Sequence, residues 1–318
     1  MTGLEISREY FERFGREAFA AGFPDLFPYL CFGLCGPGSE CYGFDDEISR
    51  DHDFEPGFCV FYPEELLTDR EVFRLERAYA HLPSDFMGLR RALISPYGGT
   101  ARKGIISIAD FFVANTGLVS APADSELDSW MMIPEAGISQ AVNGEIFLDN
   151  YGEFTRIRRA FSALPQDLRI KRLAGRIFAF SQSGGYNYAR MVKRQDQASA
   201  QLCAYEAYKD AAFAAFLISG VYAPYFKWLP RALSSLNGFS GFDKLLEVLI
   251  LRDNSPENAA VKLEVLGSIG DLLCDKAAAE FGTGSYSGSP DRLQHIAFAL
   301  NDLVSDNSLR NSDILFAL

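Results

Sequence analysis

The sequence predicts an α+β protein, with a strand-containing domain over residues 1–153 followed by an α-helical bundle over 154–318. Two patterns carry that expectation. Short apolar runs suited to strands, at 29–34, 51–62, 104–108 and 144–149, are interleaved with helical patterns and cease at the turn Asn150-Tyr151-Gly152. From Glu153 onward the periodicity is helical, interrupted at Pro165, Gly184-Gly185, Pro224, Pro230, Asn254 and the Gly/Ser-rich run 282–289. Mixed elements followed by helices alone indicate α+β architecture. The composition agrees: 318 residues, 48% apolar and 23% charged, are ordinary globular usage and exclude disordered, collagenous and disulfide-scaffold classes.

In chain order, a first helix is expected over 7–21, with Tyr10, Phe11, Phe14 and Phe19 on its apolar face and Pro24 and Pro28 beyond its end. A buried strand follows at 29–34. The segment 51–62 reads as a second strand whose alternation breaks at Pro56-Gly57. Glu64, Glu65 and Asp69 then open a helix that ends near His81. A third strand at 104–108 leads into a helix carrying Phe111 and Phe112, and a fourth at 144–149 ends in the turn. The last helices, over 242–318, carry no chemical motif, and their amphipathic pattern fits bundle closure or a homodimer contact.

Charge and cysteine usage narrow the function. Forty-two acids against thirty bases leave −12, which argues against an extended nucleic-acid surface. No apolar run reaches the roughly 18–20 residues of a membrane helix, and the N-terminus lacks the apolar centre of a signal peptide, so the chain reads as cytoplasmic. The six cysteines show irregular spacing rather than paired zinc-ligand motifs and read as buried free thiols. One segment departs from the acidic average. Residues 156–194 hold ten bases and a single acid, Asp167. Such a run suits either an anion-binding cleft or a solvated face paired with acidic neighbours.

The candidate chemistry lies in the first sixty residues. Gly38-Ser39 is followed, after eleven residues, by Asp51-His52-Asp53. A Gly-Ser turn offers backbone N–H groups and a hydroxyl to phosphate oxygens. On a strand, Asp51 and Asp53 would share a face, with His52 turned away. Two adjacent carboxylates repel unless a cation lies between them, and hard oxygen donors select Mg²⁺ or Mn²⁺ completed by substrate phosphates. The plain alternative is a surface turn followed by two solvated acids.

These residues resemble the signature of the nucleotidyltransferase superfamily related to DNA polymerase β, and more closely the DUF4037 family. The stretches carrying the likeness are GSECYGFDDEISRDHDF from Gly38, NGEIFLDNYGEFTRIR from Asn143, QSGGYNYARMVKR from Gln182 and YAPYFKW from Tyr222. The resemblance implies a minimal nucleotidyltransferase α/β domain before the helical bundle. It further implies transfer of a nucleoside monophosphate from an NTP, with ATP expected, to an acceptor hydroxyl or similar group, releasing pyrophosphate. Asp51 and Asp53 would ligate the metal, and Gly38 and Ser39 would hold the β/γ phosphates.

Superfamily members usually add a third carboxylate, which the strand at 104–108 lacks. Glu145 and Asp149 are the candidates, since their even spacing would place them on one face of a strand, although Asp149 is also suited to capping the following turn. In the helical part, Gln182, Tyr186 and Arg190 recur at helical spacing with Asn187 beside them, a stripe assigned to substrate. Gly184-Gly185 within it calls for a close approach, read as a ligand crossing the glycines. Lys227, a point charge among aromatics, is a candidate phosphate contact. A nucleotide-binding regulator of the same fold without turnover is the competing expectation.

Overall fold

The N-terminal aromatics wind into a helix in three pieces: α1 (Gly3–Tyr10), a π turn (Phe11–Gly15) and α2 (Arg16–Gly22). Thr2 and Glu5 close a capping box that starts it four residues before the expected position. The computed structural model describes residues 1–50, 55–91, 102–284, 286 and 288–318. It is mixed α+β with a small sheet and many helices, and it divides into two compact units, Met1–Ala163 and Leu164–Leu318.

The first unit continues with β1 (Cys31–Leu34), β2 (Cys59–Tyr62), α3 (Asp69–Ala80), a small hairpin of β3 (Asp85–Phe86) and β4 (Leu89–Arg90), β5 (Gly104–Ser107), α4 (Ile108–Thr116), α5 (Leu127–Met131), α6 (Glu135–Val142), β6 (Glu145–Asp149) and α7 (Glu153–Ser162). The main sheet has the order β5-β2-β1-β6. Strand β1 is antiparallel to β2 and β6, whereas β5 runs parallel to β2.

The expected strand over 51–62 is present among the described residues as Cys59–Tyr62, and side chains bond the backbone just before it. The Tyr79 hydroxyl donates to the Phe58 carbonyl at 2.8 Å and accepts from the Phe58 amide at 3.0 Å. Ser7 Oγ donates to the Gly57 carbonyl at 2.7 Å. Aromatic side chains cover both faces of the sheet. Tyr10, Phe11, Phe19, Phe32 and Phe58 form one cluster, and Phe61, Phe111, Phe112, Phe154 and Phe161 stack on the other side. Helix α7, the first element of the helical periodicity, contributes Phe154 and Phe161 to this second cluster and so packs inside the first unit.

The second unit holds α8 (Gln166–Phe180), a π segment (Ser181–Asn187), α9 (Tyr188–Lys193), α10 (Gln197–Ser219), α11 (Leu229–Ser234), α12 (Phe242–Leu251), α13 (Pro256–Phe281), α14 (Arg292–Asp302) and α15 (Asn307–Asn311). Helix α10 runs through its centre against α8, α12 and α13. Its buried Ala200, Ala204, Ala207, Ala211 and Ala215 allow those backbones close approach. Helices α14 and α15 pack on α8, so the C-terminal helices close the bundle. Among the described residues no helix is long and apolar enough to cross a membrane.

Candidate functional site

One end of the sheet gathers four chain segments. Register pairs Gly33 with Cys59, Cys59 with Gly104, and Leu34 with Glu145, so the end of β1 meets the starts of β2, β5 and β6. Gly38-Ser39 leaves β1 at this end. Ser39 adopts helical angles and opens a 3₁₀ turn, Glu40–Tyr42, whose amides bond back to the Gly38 and Ser39 carbonyls. The Ser39 hydroxyl makes no capping bond, and the residue is half-buried. Asp51, His52 and Asp53 lie outside the described residues. Among the described residues no group of three or more His, Cys, Asp or Glu side chains is arranged to hold a metal ion.

Gly38 lies directly against the ends of two charged side chains. A Cβ would run into the Arg102 guanidinium and approach Glu40 Oε2 to 2.5 Å. Glu40 is only 3% exposed, and it accepts from Arg102 at 2.9 Å with Lys103 Nζ 3.9 Å from the same oxygen. Lys103 also donates to the Glu55 carbonyl at 2.6 Å. Burial holds the Lys103 amine below the usual lysine range, and the attraction of Glu40 opposes that shift. Sequence reasoning missed this Arg102–Glu40–Lys103 cluster. The available signal was an Arg-Lys pair immediately before the short strand β5.

Asn143 holds the other side of the turn. Its Oδ1 accepts from the Gly36 amide at 2.9 Å, and its Nδ2 donates to the Gly36 carbonyl at 2.8 Å. The Gly144 amide donates to the Cys41 carbonyl at 2.9 Å. Gly144 has a φ of +66°, and a Cβ there would collide with the Leu34 carbonyl, so only glycine serves. Behind them Arg158 donates to the carbonyls of Val142, Asn143 and Gly144 at 2.8–3.2 Å, closing the C-terminus of α6. The free thiols of Cys31, Cys35, Cys41 and Cys59 are buried in this unit. Burial pushes all four upward, Cys35 and Cys59 to about 12, so they are protonated packing groups at neutral pH.

Glu145 and Asp149 do not share a face, contrary to their even spacing. A bulge places Phe147 opposite no partner, so Glu145 pairs with Leu34 and Asp149 with Cys31, three residues apart on β1. Their side chains accordingly bond on different sides. Glu145 forms an ion pair with Arg8 of α1. Asp149 accepts from the amides of Gly152 and Thr155 at 2.8 and 2.9 Å and from Thr155 Oγ1 at 2.6 Å, capping α7. Glu145 sits at the Gly38-Ser39 end of the sheet and Asp149 at the opposite end.

In the second unit, Tyr186 and Arg190 do meet. The Arg190 guanidinium lies 4.8 Å from the Tyr186 ring centre and donates to its hydroxyl. Both are exposed, and Gln182 and Asn187 are half-buried on the same π segment. Gly184 packs closely against neighbouring helices. A Cβ there would lie 2.7 Å from Leu266 Cδ2 and 3.1 Å from Ala207 Cβ, whereas Gly185 faces open space. Lys227 is exposed on a 3₁₀ turn, with Nζ 4.9 Å from the Trp228 ring.

Much of the basic run 156–194 is consumed internally. Arg169 donates to the Leu217 and Ile218 carbonyls at the end of α10 and pairs with Glu280. Lys171 reaches Asn301 and the Ser312 carbonyl, Arg172 the Ala317 carbonyl, and Arg176 the buried Asp210 at 2.9 Å. With Arg158, five of the ten bases bond across elements within their own unit, and Arg156 and Arg190 pair locally with Glu153 and Tyr186.

Neither the curated proteins nor the solved structures include a match to this chain. Residues 130–229 match the family model described as Domain of unknown function (DUF4037), which shows that likeness across the blocks beginning at Asn143, Gln182 and Tyr222 and stops short of Gly38-Ser39.

Proposed function

We propose that this protein is a Mg²⁺- or Mn²⁺-dependent nucleotidyltransferase that moves a nucleoside monophosphate from an NTP, ATP first among them, to an acceptor hydroxyl or similar group. The observation that supports it most directly is the Gly38-Ser39 turn. It leaves the end of β1 between Gly36, which Asn143 bonds, and Glu40, which Arg102 bonds, and its serine hydroxyl makes no capping bond. In this reading Gly38 and Ser39 hold the β/γ phosphates, and Asp51 and Asp53 supply two hard oxygen donors of the kind such a cation takes. Bound there, the cation would offset charge on the triphosphate and on the leaving pyrophosphate. The contributions of Gln182, Tyr186, Asn187, Arg190 and Lys227 to substrate binding rest on the resemblance.

The test is pyrophosphate release from labelled ATP with Mg²⁺ and a metabolite pool. Asp51→Asn and Asp53→Asn are expected to abolish transfer while leaving the unfolding transition in place, because neutral amides bind Mg²⁺ poorly. Full activity in either variant would refute the metal role. A nucleotide-binding regulator without turnover is the second reading. It is favoured by the engagement of Asp149 with the start of α7, which occupies one third-carboxylate candidate, while the other, Glu145, makes a half-exposed ion pair with Arg8. ATP binding that survives Asp53→Ala with no acceptor-dependent release selects it.

A further inference from the structure

We infer that Asn143 is a positioning residue for the polyphosphate tail, acting through the backbone of the Gly36–Ser39 loop; the inference rests on the nucleotidyltransferase reading. In the loop between β1 and the 3₁₀ turn Pro37 fixes only its own φ, while Gly36, at a φ of +112°, and Gly38 have little conformational preference of their own. Its shape must therefore be imposed from outside. The Asn143 carboxamide does this by reproducing a backbone pairing, accepting from the Gly36 amide and donating to the Gly36 carbonyl at 2.9 and 2.8 Å. Two further bonds hold the far end of the loop, Gly144 N–H to the Cys41 carbonyl at 2.9 Å and Tyr42 Oη with Ser139 Oγ at 3.1 Å.

The clamp is itself held by further bonds. Arg158 fixes the carbonyls on either side of Asn143, and Gly144 lies against the Leu34 backbone. Residues 139–144 thus form a template against which residues 36–42 are laid. The template lies inside the segment that matches the family model, whereas the Gly-Ser turn lies outside it. Amides that bind phosphate gain their advantage from being oriented beforehand, so loosening Gly36 should weaken contact with the triphosphate and spare contact with the rest of the nucleotide.

The experiment measures the affinity of the full chain for Mg–ATP and for AMP by calorimetry, alongside thermal unfolding. Asn143→Ala is expected to weaken Mg–ATP roughly tenfold and AMP by no more than about twofold. Asn143→Asp keeps the acceptor for Gly36 N–H, loses the donor and adds negative charge. It is expected to fold and to lose at least as much Mg–ATP affinity. Asn254→Ala, which breaks a buried amide network in the second unit, is the control for destabilisation alone and should leave both affinities unchanged. If the Asn143 variants melt earlier yet bind Mg–ATP as tightly as the wild type, Asn143 is structural only and the inference fails while the nucleotide reading stands. If AMP and Mg–ATP weaken equally, the inference also fails. If the wild type binds no Mg–NTP, the nucleotide reading itself falls, and the inference with it.

Discussion

Asp149 illustrates how one side chain can satisfy two descriptions in sequence, of which the structure shows the capping one. As an acid on a strand it qualified as a metal ligand, but its two oxygens receive the amides of Gly152 and Thr155 and the Thr155 hydroxyl. Asp149→Ala is therefore expected to lower the urea-unfolding free energy by ~1–2 kcal/mol, the usual cost of losing a helix cap. A change near zero would return Asp149 to the pool of functional acids. Lys262 poses the opposite problem. It is fully buried, with Nζ bonded to Gln201 Oε1 at 2.8 Å and Asn254 Oδ1 at 2.9 Å, both uncharged. Each acceptor keeps a second donor, Asn254 Nδ2 and Tyr188 Oη respectively. Lys262→Met should thus remove a desolvated cation without orphaning its partners, and stability should hold or rise. Burial lowers the Lys262 amine below 10.5. The unfolded chain binds that proton more readily, so any gain from methionine should be largest at low pH and shrink as pH approaches 10.5. A large loss of stability in the variant would show that the ammonium is needed.

At the scale of elements, the adjacent glycines of the π segment separate cleanly. Gly184 sits against Leu266 and Ala207, whereas Gly185 meets nothing within 4 Å. Gly184→Ala is expected to cost about 1–3 kcal/mol through overpacking. Gly185→Ala should be neutral or stabilising by up to ~1 kcal/mol, the helix-propensity difference. Parallel thermal melts decide it, and equal effects would contradict the packing assignment. The β6 bulge is an element-scale event too. One extra residue reverses the alternation between Glu145 and Asp149, and their spacing in sequence contains no sign of it.

For the molecule as a whole, the clearest pH dependence comes from the first unit. Its four buried thiols are raised above the ordinary value of 9.0, Cys35 and Cys59 to about 12. A raised group favours the folded chain fully below its unfolded pKa and loses that advantage as pH rises through its folded pKa. Lys103 works the other way, since its lowered pKa relieves a penalty as pH rises towards 10.5, but it is one group against four. Stability of the first unit should accordingly fall between pH 9 and about 12. Urea midpoints combined with peptide-resolved hydrogen exchange would show this, and a flat profile would mean that the thiols reach solvent.

The α+β order, the position of the short strands and the helical character beyond Glu153 were legible because side-chain periodicity is a local property, read over a few residues at a time. The Gly38-Ser39 turn was legible for the same reason. The partners of that turn were not: Arg102, Glu40, Asn143 and Arg158 arrive from separate segments, and the pairing of β1 with β2 and β6 and of β2 with β5 brings them together. The basic run 156–194 makes the same point, because whether a charge faces a ligand or a helix's terminal carbonyls depends on which helix end lies beside it. Sequence determined which elements form; tertiary packing decided which polar groups were already spoken for, since a hydrogen bond between distant residues leaves no periodic trace in either segment.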